Sequence, residues 1–175
     1  MMNKSILSIF LIAFLFASCQ KQDNEGKVVM GYKPIYISNN LAFETEVRAP
    51  EKFTDPGKMY LYNQYIYITD FGNGVHIIDN SDPANPTKLK FIKIPGVIDV
   101  AVKNGHLYAD NFTDIVSFNI GDLNNITLSK RLKDVYPRKD FYPETKSGYF
   151  DCVDTAKGYV IGWEQTELID PKCYR

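Results

Sequence analysis

Trp163 and Glu164 stand side by side after an apolar run, in a pattern suited to sugar binding. An indole face can stack on a sugar ring while a neighbouring carboxylate accepts from its hydroxyls, although packing into a core is the commoner use of a large aromatic. Asp79, Asp82, Asp110 and Asp114 could offer oxygen ligands to calcium. Their spacing lacks the alternating acids and central Gly of a calcium loop, so they read as turn-forming carboxylates. His76 and His106 are the only histidines. Neither lies two or four residues from another His or Cys, so no zinc site is expected, and His76 reads as a packed strand residue. No Gly-x-Ser-x-Gly elbow, phosphate loop or His-Glu-x-x-His occurs. No catalytic residue, metal or cofactor is therefore assigned.

Cys19 has a different chemistry, set by what precedes it. Lys4 provides a basic start, Ile6 to Phe16 is almost continuous hydrocarbon, and Ala17-Ser18 supplies small residues for cleavage, so Met1 to Ser18 reads as a signal peptide. The apolar core is shorter than the about 20 residues a membrane span needs. Phe16-Ala17-Ser18-Cys19 resembles the lipobox of bacterial lipoproteins, with Phe in place of the usual Leu. That resemblance implies an acylated Cys19 at the start of the mature chain and an outer-membrane or cell-surface location. Residues 19–27 are polar and aperiodic, the character of a flexible tether. Lys21 and the acids after it resemble surface-export signals of lipoproteins in Bacteroidetes-type bacteria. Asp154-Thr155-Ala156 resembles the O-glycosylation acceptor triplet of the same bacteria, which makes Thr155 a candidate modification site. Asn111-Phe112-Thr113 also matches the N-glycan sequon, which the resemblance to a bacterial lipobox implies is a coincidence.

The folded body expected over residues 28–175 is large enough for one domain. The whole chain has 20 basic and 21 acidic residues, a balance that gives no electrostatic footprint for nucleic acid. Twelve Tyr and eleven Phe, with many Ile and Val, favour strands. Cys152 and Cys173 would sit in an exported, disulfide-permissive setting. A bridge needs Cα atoms within about 4.4–6.8 Å, which sequence leaves open. The simpler expectation is a buried Cys152 and a free Cys173.

Four short strands are predicted at Met59–Tyr62, Tyr65–Thr69, Val75–Asp79 and Leu89–Ile94, with a turn at Asn63-Gln64 and a Pro83/Pro86 loop between the last two. The same order recurs at Ile98–Val102, His106–Asp110, Ile115–Asn119 and Thr127–Leu132, displaced by 40 or 41 residues. That period and content are those of a propeller blade. The segment before Pro50 reads as a lead-in, and Val135–Phe150 as an insertion. Asp151–Val153, Tyr159–Trp163 and Thr166–Asp170 read as three strands of an incomplete third blade. The expected fold is thus all-β, a partial propeller of four-stranded antiparallel blades stacked face to face, with the last sheet short of a strand. Because propellers close with about four to eight blades, continuation of the gene past Arg175 is the favoured expectation, ahead of an open array or assembly of copies.

Gly74-Val75-His76-Ile77-Ile78-Asp79-Asn80-Ser81-Asp82-Pro83-Ala84-Asn85-Pro86 resembles the signature of LVIVD-repeat proteins. The likeness spans roughly residues 57–132 and implies a β-propeller of a secreted or lipid-anchored bacterial protein, with no catalytic residues to carry over. The expected function is a lipid-anchored envelope module that binds protein or glycan without catalysis, and that can self-associate through open strand edges. The alternative is a carbohydrate-active enzyme, or a subunit of one, using Glu164 or the Asp-rich loops.

Overall fold

Branched and aromatic residues alternating between tight turns give a chain built almost wholly of strands. The computed structural model describes residues 26–139, 142–143 and 147–175. The leader, Cys19 and the tether through Glu25 lie outside the described residues. The strands in chain order are β1 (Val28–Ile37), β2 (Glu46–Arg48), β3 (Pro56–Tyr62), β4 (Tyr65–Asp70), β5 (Gly74–Asp79), β6 (Thr87–Lys93), β7 (Val100–Lys103), β8 (His106–Asn111), β9 (Asp114–Asn119), β10 (Thr127–Leu132), β11 (Tyr149–Phe150), β12 (Tyr159–Ile169) and β13 (Cys173–Tyr174).

The two repeat copies become two antiparallel sheets. The first has the order β2-β6-β5-β4-β3 and the second β10-β9-β8-β7. Their hairpins turn at Asn63 (φ 54°) and at Asn104-Gly105 (φ 51° and 72°), residue types that tolerate the left-handed region. Gly74 is fixed by crowding, since a Cβ there would stand 2.3 Å from the Ile92 carbonyl oxygen and 2.5 Å from the Phe91 ring. The short strand β2 gives the first sheet a fifth member, pairing with β6 through Glu46↔Lys93 to Arg48↔Phe91.

A single core lies between these sheets. Tyr67, Val75, Ile77, Ile92 and Ile94 from the first meet Val100, Val102, Leu107, Ala109, Val116 and Phe118 from the second. Each Val, Leu, Ile or Phe among them contributes about 1.5–3 kcal/mol on burial. The inner positions are out of phase with the repeat. Val75 and Ile77 face the core in β5, whereas in β9, 40 residues on, it is Val116 and Phe118, the counterparts of His76 and Ile78. The sheets therefore turn opposite faces to each other, as stacked copies of one unit must.

The third copy differs from expectation. Tyr159–Ile169 is one continuous strand, because no Gly or Pro interrupts the chain between Gly162 and Pro171. The lead-in residues are its partner, running antiparallel from Val28↔Ile169 to Ile37↔Tyr159. They complete the sheet β12-β1-β11-β13, in which β1 and β11 pair in parallel, so this sheet is neither short of a strand nor wholly antiparallel. A further strand, β13, does follow Ile169. None of its residues joins the core cluster. Contacts with the other sheets run through loops, as where Tyr159 packs at 4.3 Å on Phe112 and 5.5 Å on Phe43. Lys27, at the end of the expected tether, is held by Asp170, which accepts its N–H at 2.7 Å.

Cys152 and Cys173 are joined, with Cα atoms 5.3 Å apart. This corrects the expectation of a free Cys173: pairing of β11 with β13 brings the two together. The bridge closes a loop of 21 residues, worth about 3 kcal/mol of denatured-state entropy. Cys173→Ser should lower unfolding free energy by about that amount. Hydrogen exchange at Tyr149, Phe150 and Tyr174 should rise more than at Ile77 or Val116, because the loss is local to the third sheet.

Candidate functional site

The acids singled out in the sequence are largely occupied by backbone. Asp79 accepts from the N–H and Oγ of Ser81 at 2.8 and 2.6 Å, and Asp82 accepts from the Ala84 N–H and the Asn85 amide. These donors hold both carboxyls below the usual range. One repeat later Asn119 accepts from the Gly121 N–H and Asp122 from the Asn124 N–H, rebuilding the same turn. Asp114 accepts from Arg131 at 2.9 Å and from the Asp134 N–H. Asp110 accepts from the N–H groups of Ile98 and Asp99, while burial pushes its carboxyl upward. Asn111 of the sequon is buried, its amide donating to Ala42 O and Pro95 O.

Trp163 has the more open setting. It is half-buried on β12, with its ring edge-on to Phe150 at 5.6 Å. It also lines a cleft of about 490 Å³ together with Tyr32, Phe71, Tyr142, Asn73, Thr54 and Asp55. One part of this Trp thus packs and another faces a cleft. Glu164 does not share that wall. Successive strand residues point to opposite faces, and Glu164 is exposed opposite Lys33. The structure therefore separates the pair. Thr155 is exposed on a short 3-10 turn whose start is capped by Asp154, the acceptor for the Ala156 N–H.

Sequence reasoning missed Tyr32, Phe71, Tyr142 and Asp55 because they come from four separate segments. The one available signal was the Tyr and Pro content of the stretch read as an insertion. Asp70 was missed too, and it shapes the cleft. Its carboxylate accepts from the N–H groups of Thr54 and Asp55, clipping the loop before β3 to the end of β4. Asp70 also faces His76 Nε2 at 3.5 Å. His76 is fully buried between Phe53 and Phe91, and its Nδ1 has no hydrogen-bond partner among the described residues. His106 is on the surface, with Nδ1 3.1 Å from Asn104 O.

Residues 57–92 match the LVIVD repeat, which spans β3 to β6 of the first sheet. This supports the repeat-protein family for that segment. No curated protein and no solved structure matches the chain.

Burial depresses the pKa of His76, against a smaller upward pull from Asp70. The native state thus binds fewer protons than the unfolded chain, where His titrates near about 6.5. Stability should hold at neutral pH, fall as the pH drops below about 6.5 towards the folded value, and level off beneath it. In His76→Phe, urea midpoints between neutral and mildly acid pH should lose that component of the slope.

Proposed function

We propose that this chain is a lipid-anchored, cell-envelope β-propeller module of Bacteroidetes-type lipoprotein origin that binds glycan and does not catalyse. The observation that carries the reading is the Trp163 cleft, whose lining combines the aromatic residues Tyr32, Phe71, Tyr142 and Trp163 with the polar residues Thr54, Asp55 and Asn73. Flat apolar faces beside hydrogen-bonding groups suit a sugar ring, which has both kinds of surface. Two stacked sheets turning opposite faces to a common core support successive blades of a propeller, the first one widened by β2.

The enzyme alternative is less well supported. Glycoside hydrolysis commonly uses two carboxyl groups flanking one bond. Among the described residues of the cleft wall Asp55 is the one acid, Glu164 lies on the other face, and Asp70 is engaged by backbone N–H groups. A glycan array and a hydrolase screen on the full chain test both readings. Trp163→Ala should weaken glycan binding roughly tenfold or more, the scale of a lost stacking platform, while Glu164→Gln leaves it unchanged. Turnover abolished by Glu164→Gln would overturn the binding reading.

The anchor and self-association are tested together. Cys19→Ala should move the protein from membranes to the soluble fraction and stop incorporation of labelled fatty acid. In the released protein the open edge of β3, where Met59 and Leu61 are 65% and 64% exposed, is the surface for copy-to-copy pairing. Concentration-dependent sedimentation that Leu61→Lys suppresses is the expected result. Membrane retention of Cys19→Ala counts against the anchor, and a monomer at all concentrations counts against the edge.

A further inference from the structure

The corner that forms the Trp163 cleft is built twice. In the first sheet Thr54 and Asp55, just before β3, give their N–H groups to Asp70 at the end of β4, and Phe71 in the next turn lines the cleft. In the second sheet Ile98 and Asp99, just before β7, give theirs to Asp110 near the end of β8. Phe112 in the next turn lines a second cavity there, of about 280 Å³. Asp110 sits one residue further from its turn than Asp70 does, but the device is the same. Each corner also receives one Tyr-Pro pair from the segment after β10: Tyr136-Pro137 lines the second cavity and Tyr142-Pro143 the first.

The two corners are adjoining. Gly72, next to Phe71, donates its N–H to Val97 O at 2.9 Å, and Gly96 of the second cavity donates to Gly72 O at 2.8 Å. Gly96 has φ +75°, and a Cβ there would be 2.5 Å from the Phe112 ring, so only glycine lets that ring lie on the backbone between the corners.

We infer that the two corners are successive subsites for one linear, neutral oligosaccharide; this rests on the glycan reading above. A sugar chain presents a ring with apolar faces and a rim of hydroxyls at regular intervals along its length, which suits a Phe, a Tyr-Pro pair and an acid recurring at neighbouring positions. The first corner carries Asp55, and at the second Asp99 and Asp110 are offset by Lys139 and by Lys58, which pairs with Asp99, so neither corner has the excess of cationic groups that an acidic sugar needs. Occupation of the second corner by a chain already held at the first is intramolecular, so it gains from effective concentration.

Cello-, manno- and chito-oligosaccharides from mono- to hexasaccharide, titrated calorimetrically into the full chain, test this. Affinity in the series that binds should rise roughly tenfold or more with length. Tyr136→Ala should remove the gain with length, in a chain whose local fold is kept because the Tyr136 N–H still donates to Thr113 O. Trp163→Ala should weaken ligands of every length. Trp163-dependent binding that is independent of length, or a gain that survives Tyr136→Ala, would overturn the second subsite and leave the glycan reading standing. Failure of all three series to bind the unmodified chain would overturn both.

Discussion

Strand β5 is buried on both of its faces, and much of the molecule answers to that constraint. Val75 and Ile77 enter the shared core while His76 and Ile78 are shielded on the other side. A strand of this kind cannot end in solvent on either face without exposing apolar area, so its sheet needs cover from two directions. The second sheet provides one cover by turning Leu107, Ala109, Val116 and Phe118 towards it. On the opposite side Phe53, from the loop before β3, lies 4.2 Å from the His76 ring. The cost of that arrangement is a buried imidazole with one nitrogen that has no hydrogen-bond partner among the described residues.

Stacking one unit on the next also brings the same end of each sheet to the same end of the molecule. Turns after β4 and β8 then lie beside each other, tied through Gly72, Gly96 and Val97. An acid near the end of each preceding strand captures two consecutive N–H groups from the loop leading into the first strand of its own copy. Those donors would otherwise depend on solvent at the wall of a cleft. Scaffold and candidate site therefore use the same groups: the carboxylates that hold the corner closed also fix where its aromatic rings stand.

The third sheet supplies what the repeats lack. Its long pair β1–β12 carries Tyr32 and Trp163 to the cleft, and Tyr159 packs against Phe112 and Phe43. The Arg138 guanidinium donates to Gly158 O and lies over the Tyr159 ring at 4.1 Å, linking the Tyr-Pro segment to the start of β12. Strand alternation along β12 has a direct chemical consequence. It sends Trp163 and Glu164 to opposite faces, and a pair adjacent in sequence is divided in space.

Local pattern was enough for the strands of the two clear copies, whose turns at Asn63 and Asn104-Gly105 and Asp-Ser and Asp-Asn loops depend only on nearby residues. The 40-residue recurrence likewise carried the stacking, since it repeats the apolar period. What sequence could not decide were relations between distant segments. The lead-in pairs with residues more than a hundred positions away in β12. The Cys152–Cys173 bridge depends on β11 meeting β13. The Tyr32, Phe71, Tyr142 and Trp163 wall draws on several separate elements. Strand pairing across long separations is set by which edges remain open after the core has formed, and side-chain neighbours follow from that choice. Residue type and spacing therefore determined the strands and turns of the two repeat sheets, while tertiary packing decided the make-up of the third sheet and which aromatics and acids share a cleft.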